Sequence, residues 1–158
     1  MTQPNPTSPA AGALDAVTLE ILLNALRSVA DETYISLMRS AYSTNIKERN
    51  DHSTALIDPK GRLIALCEAA QPIHLSSMLG LTTRLLARYD LADFKPGDIF
   101  VGNDPYAAGG SHLPDVNMSM PVFADGVLVG FMCNIAHHAD IGGMSPGSMS
   151  GGTETSRL

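Results

Sequence analysis

Two segments, residues 116–123 and 127–135, constrain the fold most strongly. Both are rich in Val, Met and Phe or Ile, and Asp125-Gly126 stands between them. Asp-Gly favours a two-residue turn with positive φ at both positions, so the segments read as one antiparallel hairpin. Such a loop pairs Val122 with Val129, Met120 with Phe131, Met118 with Cys133 and Val116 with Ile135. Every pair is apolar against apolar, which makes the register self-consistent. Extended outward, this register sets Pro114 opposite His137, Asp115 opposite Ala136, and His112 near Ala139. Alternation then places His112 and His137 on one face and Asp115 on the other. Pro114 interrupts the ladder, so alternation need not hold through Asp115.

The rest of the chain alternates helical and extended patterns. Asp15 caps a long helix that runs to about Tyr42. Val17, Ile21, Leu22, Ala25, Leu26, Val29 and Leu37 recur on it at three- and four-residue steps and are expected to face inward. Residues 46–52, IKERNDH, form a dense polar run that reads as a solvated loop. Residues 53–57 and 62–67 are short strands joined by a turn over Asp58-Pro59-Lys60-Gly61. A second helix is expected over residues 77–89, with Met78, Leu81, Leu85 and Leu86 inward. Lys95-Pro96-Gly97-Asp98 turns the chain into a further strand over 99–101. The fold class is therefore mixed, α/β or α+β: a long N-terminal helix, a largely antiparallel sheet with the hairpin central, and one more helix.

Composition removes several function classes. The net charge is −6 and the ten Lys and Arg residues are scattered, which argues against a nucleic-acid partner. No apolar run approaches the roughly 18 residues of a membrane span. Cys67 and Cys133 follow no ligand spacing and read as free thiols in a reducing cytoplasm. Residues 1–13 are rich in Pro, Ala, Ser and Thr without a positive start, and read as a disordered leader rather than a signal peptide. The charged share is 16%, against roughly 25% in an average soluble protein. A surface so poor in charge suggests cover by a partner or by further chain.

The chemistry concentrates after residue 101. There stand Asn103-Asp104-Pro105, the run GGSHLPD (109–115), and His137-His138-Ala139-Asp140, among most of the chain's fourteen glycines. Two imidazoles and a carboxylate suit Zn, Mn or Fe, and three protein ligands leave positions open for water or substrate. His112, Asp115 and His137 are the candidate metal ligands; the plain alternative is polar loop residues with Asp115 capping a turn. His138 and Asp140 are candidates for proton transfer or for orienting a metal-bound histidine. Asp104 is either a base or the acceptor of an Asx turn, with Asn103 positioning substrate. Glu48, Arg49, Asp51 and His74 either line a substrate pocket or are solvated. No G-x-x-x-x-G-K-[ST], G-x-G-x-x-G or G-x-S-x-G run and no Cys-His nucleophile signature occurs, so this chain is not expected to bind ATP or to act through a covalent nucleophile.

Several blocks in fixed order carry a resemblance. They are DAVTLEILLNALRSVADETYISLMRSAY, STNIKERNDHSTALIDPKGRLIA, QPIHLSSM, KPGDIFVGNDPY, GGSHLPDVNMSMPVF and HHADIGGMSPGSMSGG. Together, over residues 14–152, they resemble the N-terminal region of the hydantoinase B/oxoprolinase family. That family includes N-methylhydantoinase B subunits, the corresponding half of 5-oxoprolinases, and the α subunits of acetone and acetophenone carboxylases. The resemblance implies a hydantoinase A-type partner that binds ATP and phosphorylates substrate, hence a hetero-oligomer. It implies a divalent metal as well. In the carboxylase branch two histidines and an aspartate hold it, manganese in acetone carboxylase, and by motif position these match His112, Asp115 and His137.

The function so implied is ATP-driven ring opening of a cyclic amide by a hydrolase of the hydantoinase or 5-oxoprolinase type, with manganese or zinc as the metal. One alternative is an α-type subunit of an ATP-dependent ketone carboxylase. Family chains continue well beyond this length, so residues 14–158 read as the N-terminal portion of a larger domain. A truncated, non-catalytic fragment is the remaining alternative.

Overall fold

A computed structural model describes residues 14–148; the expected leader lies outside them. The chain runs α1 (Ala16–Ser40), α2 (Thr44–Lys47), β1 (His52–Ile57), β2 (Leu63–Leu66), α3 (Pro72–Arg88), β3 (Phe100–Gly102), β4 (Asp115–Ala124) and β5 (Val127–His137). Short 3-10 turns occupy Leu91–Asp93 and Pro146–Ser148. The strands form one antiparallel sheet in the order β2-β1-β5-β4-β3, so the expected hairpin does supply its centre.

The two long helices lie on opposite faces of the sheet, as the alternation of β1 shows. On one face, Thr54 Oγ1 donates to Ala30 O at 2.7 Å and His52 Nε2 lies 3.2 Å from Tyr34 O, both acceptors on α1. On the other, Ala55 and Ile57 pack with Met78, Leu81 and Leu85 of α3 and with Phe131, Cys133 and Ile135 of β5. Phe131 is fully buried and meets Phe94 edge-on at 5.1 Å. Fully burying a side chain of this kind contributes about 1.5–3 kcal/mol, and an aromatic pair roughly 0.5–1.5 more.

Local signals set the element ends. The Asp15 carboxylate accepts from Val17 N and Thr18 N and caps α1. α3 starts at Pro72, earlier than the periodicity suggests, because a proline at the first helical position sacrifices no intrahelical bond. His74 therefore sits in the first turn of a helix rather than in a lead-in. The polar run 46–52 is not simply a solvated loop: it opens in the second half of the one-turn helix α2, where Ile46 follows Asn45 and both are buried, and it ends on the buried His52 that starts β1.

Two expectations about facing are overturned. On α1 the buried positions are Ala30 and Tyr34, whereas Val17, Ile21, Leu22 and Val29 are exposed. The α1 residues that bond to β1 and to Glu68 just past β2, namely Ala30, Asp31 and Tyr34, all stand in the second half of the helix.

The hairpin register also differs. Asp125 and Gly126 do take positive φ, 49° and 77°, and Ala124 pairs with Val127 and Phe123 with Leu128. Then Val122 pairs with Gly130, which leaves Val129 as a bulge, and every later pair moves by one: Met120 opposite Met132, Val116 opposite Ala136, Asp115 opposite His137. A bulge puts two residues opposite one and resets the parity of everything beyond it. The buried side of β4 is consequently polar, with Asp115, Asn117 and Ser119 all under 5% exposed, while Met120 is 40% exposed on the other side.

Candidate metal centre

The reset register builds the site. His137 N–H donates to Asp51 O at 3.0 Å, extending the β1–β5 ladder by one residue. Asp115 is the partner of His137 on β4. Asp51, His137 and Asp115 thus form one row across three neighbouring strands, on the face that α3 covers. Directly opposed residues in such rows bring their side chains to about 5 Å.

Above this row stand two groups from outside the sheet. His112 comes from the loop between β3 and β4; its Nε2 lies 3.3 Å from Asp115 Oδ1, and its ring centroid 4.9 Å from that of His137. Ser111 Oγ donates to Asp115 Oδ2 at 2.9 Å. Ligand atoms of His112, Asp115 and His137 all lie within 4.8 Å of one another. Asp115 and His137 are buried, and His112 is half-buried at the opening. Two imidazole nitrogens and one carboxylate at this spacing fit a divalent ion with open positions.

The second group is His74, at the start of α3. Its Nδ1 lies 2.9 Å from Ser53 Oγ, and its Nε2 lies 3.4 Å from Asp51 Oδ1, which also accepts from Gln71 Nε2 at 3.1 Å. Burial pushes the His74 imidazole below its ordinary range, against the opposite pull of Asp51 and Asp115. This Ser-His-Asp sequence of contacts is not a nucleophilic triad. Ser53 is fully buried and its oxygen already accepts from Gln71 N–H at 3.0 Å. The chain of bonds instead runs outward and holds the Asp51 carboxylate in place. Asp51, His74, His112, Asp115 and His137 line one cavity of about 270 Å³. A second, mostly apolar cavity of about 470 Å³ adjoins it at His112, walled by Leu113, Ile141 and Met144 among others.

The remaining candidates fall elsewhere. His138 is exposed, its N–H donating to Pro114 O at 2.8 Å, and Asp140 is exposed, its Oδ1 accepting from Gly142 N. Asp104 Oδ1 accepts from Tyr106 N at 2.8 Å, the Asx-turn arrangement, while Asn103 Nδ2 donates to Leu113 O and ties the ends of the loop. Both residues shape the loop that carries His112 and do not line the 270 Å³ cavity. Glu48 and Arg49 are exposed and outside that cavity too. Sequence reasoning passed over Asn45, whose Nδ2 lies 2.8 Å from His137 Nδ1 in a buried contact. It also gave Asp51 no more than a place in a pocket wall, although alternation back from Ser53 puts Asp51 on the site's face.

The hydantoinase B/oxoprolinase family profile matches residues 15–156. The chain is 42% identical to 5-oxoprolinase 1 of Arabidopsis thaliana over 85% of its own length and 10% of that protein's. It is 38% identical to the B component of a putative D-/L-hydantoinase of Pseudomonas sp. over 85% of its length and 23% of the relative's. Among solved structures, the ATP-dependent caprolactamase of Pseudomonas jessenii superposes with a TM-score of 0.67 at 29% identity, covering 86% of this chain and 23% of that one. Acetone carboxylase superposes with a TM-score of 0.71 at 23% identity, covering 82% and 17%, a likeness of fold. The chain spans a quarter or less of each of these relatives. Because the profile runs from the cap of α1 through every residue of the cavity, this chain belongs to the hydantoinase B/oxoprolinase family.

Proposed function

We propose that this chain carries the metal-binding part of an ATP-dependent hydrolase that opens cyclic amides of the hydantoin or 5-oxoproline type. The observation that carries the reading is the convergence of His112, Asp115 and His137 on one cavity. The hydrolase branch is preferred over the ketone carboxylase because, between the two superposed structures, identity is 29% to the caprolactamase and 23% to acetone carboxylase. The chain's residues include no phosphate-cradling motif, so ATP is assigned to a hydantoinase A-type partner subunit or domain.

His112 Nε2, a carboxylate oxygen of Asp115 and one nitrogen of His137 would hold manganese or zinc. A bound divalent ion polarises a carbonyl and lowers the pKa of water. Ser111 fixes Asp115 so that its other oxygen is turned to His112. Asp51, held by Gln71 and His74 on the far side of His137, is the carboxylate placed to take the proton of an attacking water. The role first assigned to His138 and Asp140 passes to it because both of those face solvent. The apolar cavity beside His112 suits the hydrocarbon part of a ring.

Elemental analysis of chelator-free protein tests the site. About one divalent ion per chain is expected in the wild type and in His138→Gln, and none in His112→Ala or His137→Ala. Equal metal in all four would remove the site. An ATP-dependent ring-opening assay with an A-type partner then tests the reaction, where Asp51→Asn should lower kcat by roughly 10²–10⁴-fold.

A further inference from the structure

His137 is gripped from a side that metal binding does not use. Asn45, on the buried side of α2, sets Nδ2 2.8 Å from His137 Nδ1. Ser43 Oγ donates to His137 O at 3.2 Å, and His137 N–H donates to Asp51 O at 3.0 Å. Gly147 closes over the ring: a Cβ there would stand 3.3 Å from His137 Cε1 and 3.4 Å from Asn45 Nδ2. Backbone and ring are therefore both held, the ring by one polar partner among the described residues. With Nδ1 engaged by Asn45, Nε2 is the nitrogen left for His112 and Asp115.

A neutral imidazole carries one proton on two nitrogens, and the partner of one decides the state of the other. When the Asn45 Nδ2–H faces Nδ1, the ring accepts there and its proton sits on Nε2, which then has no lone pair for a cation. With the carboxamide turned over, Asn45 Oδ1 accepts from Nδ1–H, and Nε2 presents its lone pair to the cavity. A carboxamide offers both faces at the same place and volume; a carboxylate offers only the second, and a hydrocarbon neither.

We propose that Asn45 is the positioning residue of this site: its carboxamide selects the tautomer of His137 and so decides whether Nε2 is open to a divalent cation. The cation-binding half rests on the metal reading above; the tautomer half does not. Partners of metal-bound histidines typically account for 10–100-fold in metal affinity.

The test uses the whole protein in three forms, wild type, Asn45→Asp and Asn45→Leu. Nitrogen-15 NMR of the His137 ring, metal-free and at alkaline pH, reads the tautomer. The wild type is expected as Nε2–H, Asn45→Asp as Nδ1–H, and Asn45→Leu as a mixture. Calorimetric titration with Zn²⁺ reads affinity. Asn45→Asp, whose Nε2 is open at rest, should bind about 10–100-fold more tightly than the wild type, which must first turn its carboxamide over, with Asn45→Leu between them. Unchanged His137 tautomer populations across the variants overturn the proposal, and so does wild-type Zn²⁺ affinity in Asn45→Asp. If the wild type binds no Zn²⁺ while the tautomers follow residue 45, the metal reading fails and the positioning of His137 by Asn45 stands. Asn45→Asp nearly preserves side-chain volume, so its tautomer decides the matter even if Asn45→Leu does not fold.

Discussion

Substituting Gly109 by alanine perturbs the support of His112 without touching the cavity. Gly109 has φ +82°, and a Cβ there would lie 2.8 Å from Ser77 O and 3.1 Å from Gly80 Cα. Both atoms are backbone of α3, so neither can swing aside. Two costs add. Left-handed backbone costs an alanine roughly 1–2 kcal/mol. Forcing a methyl into a packed contact costs about 1–3 kcal/mol more. Gly109→Ala should therefore lower stability by about 2–5 kcal/mol, a large share of the roughly 5–15 kcal/mol of a typical domain. Gly97 separates the two costs. Its φ is +94°, and an added methyl would meet nothing within 4 Å, so Gly97→Ala carries the conformational cost alone. Urea unfolding of both variants measures the difference. Because His112 lies three residues beyond Gly109, metal affinity should fall in Gly109→Ala and stay unchanged in Gly97→Ala. If the two variants differ by less than about 0.5 kcal/mol, the close approach of the loop to α3 is not the reason for Gly109.

Two further predictions concern a buried histidine and the bulge. His52 is fully buried, stacked on Tyr34 at 3.9 Å, and burial holds its pKa below the ordinary value of 6.5, against the opposing hydrogen bond to Tyr34 O. The native state refuses a proton that the unfolded chain accepts, so stability is complete above pH 6.5 and falls below it, by up to about 1.4 kcal/mol per pH unit. His52→Phe keeps the stack and should flatten part of that slope; parallel stability curves between about pH 5 and 7 would contradict this. Deleting Val129 removes the bulge yet leaves Val122 opposite Gly130 and Asp115 opposite His137. That variant should fold within about 1 kcal/mol of wild type and keep its metal. Loss of metal in a folded deletion variant would show that the observed register is not the one that forms the site.

Much of the fold and the identity of the three candidate ligands were legible because they depend on near neighbours. Asp15 caps α1 through residues two and three positions on, and Asp125-Gly126 needs only its own φ preference. The inward stripe of α3, Met78, Leu81 and Leu85, follows from helical spacing alone. The misread face of β4 has a specific cause. Val116, Met118, Met120 and Val122 alternate as a buried strand should. The core nevertheless lies on the other side, where Ser119 Oγ meets Cys133 Sγ at 3.4 Å and α3 packs.

Local composition thus determined which residue types this chain brings to its chemistry, where its turns fall, and that its centre is a hairpin. Tertiary structure alone decided how the site is assembled. One extra residue at Val129 reverses strand parity, and no local preference announces it, because the bulge forms where the whole sheet must align. Asn45 reaches His137 across 92 positions, and Asp51 meets the same histidine through the ladder of a third strand. Such contacts depend on sheet order and on the placing of α2 and α3 at its end, which are set by global packing rather than by any window of sequence.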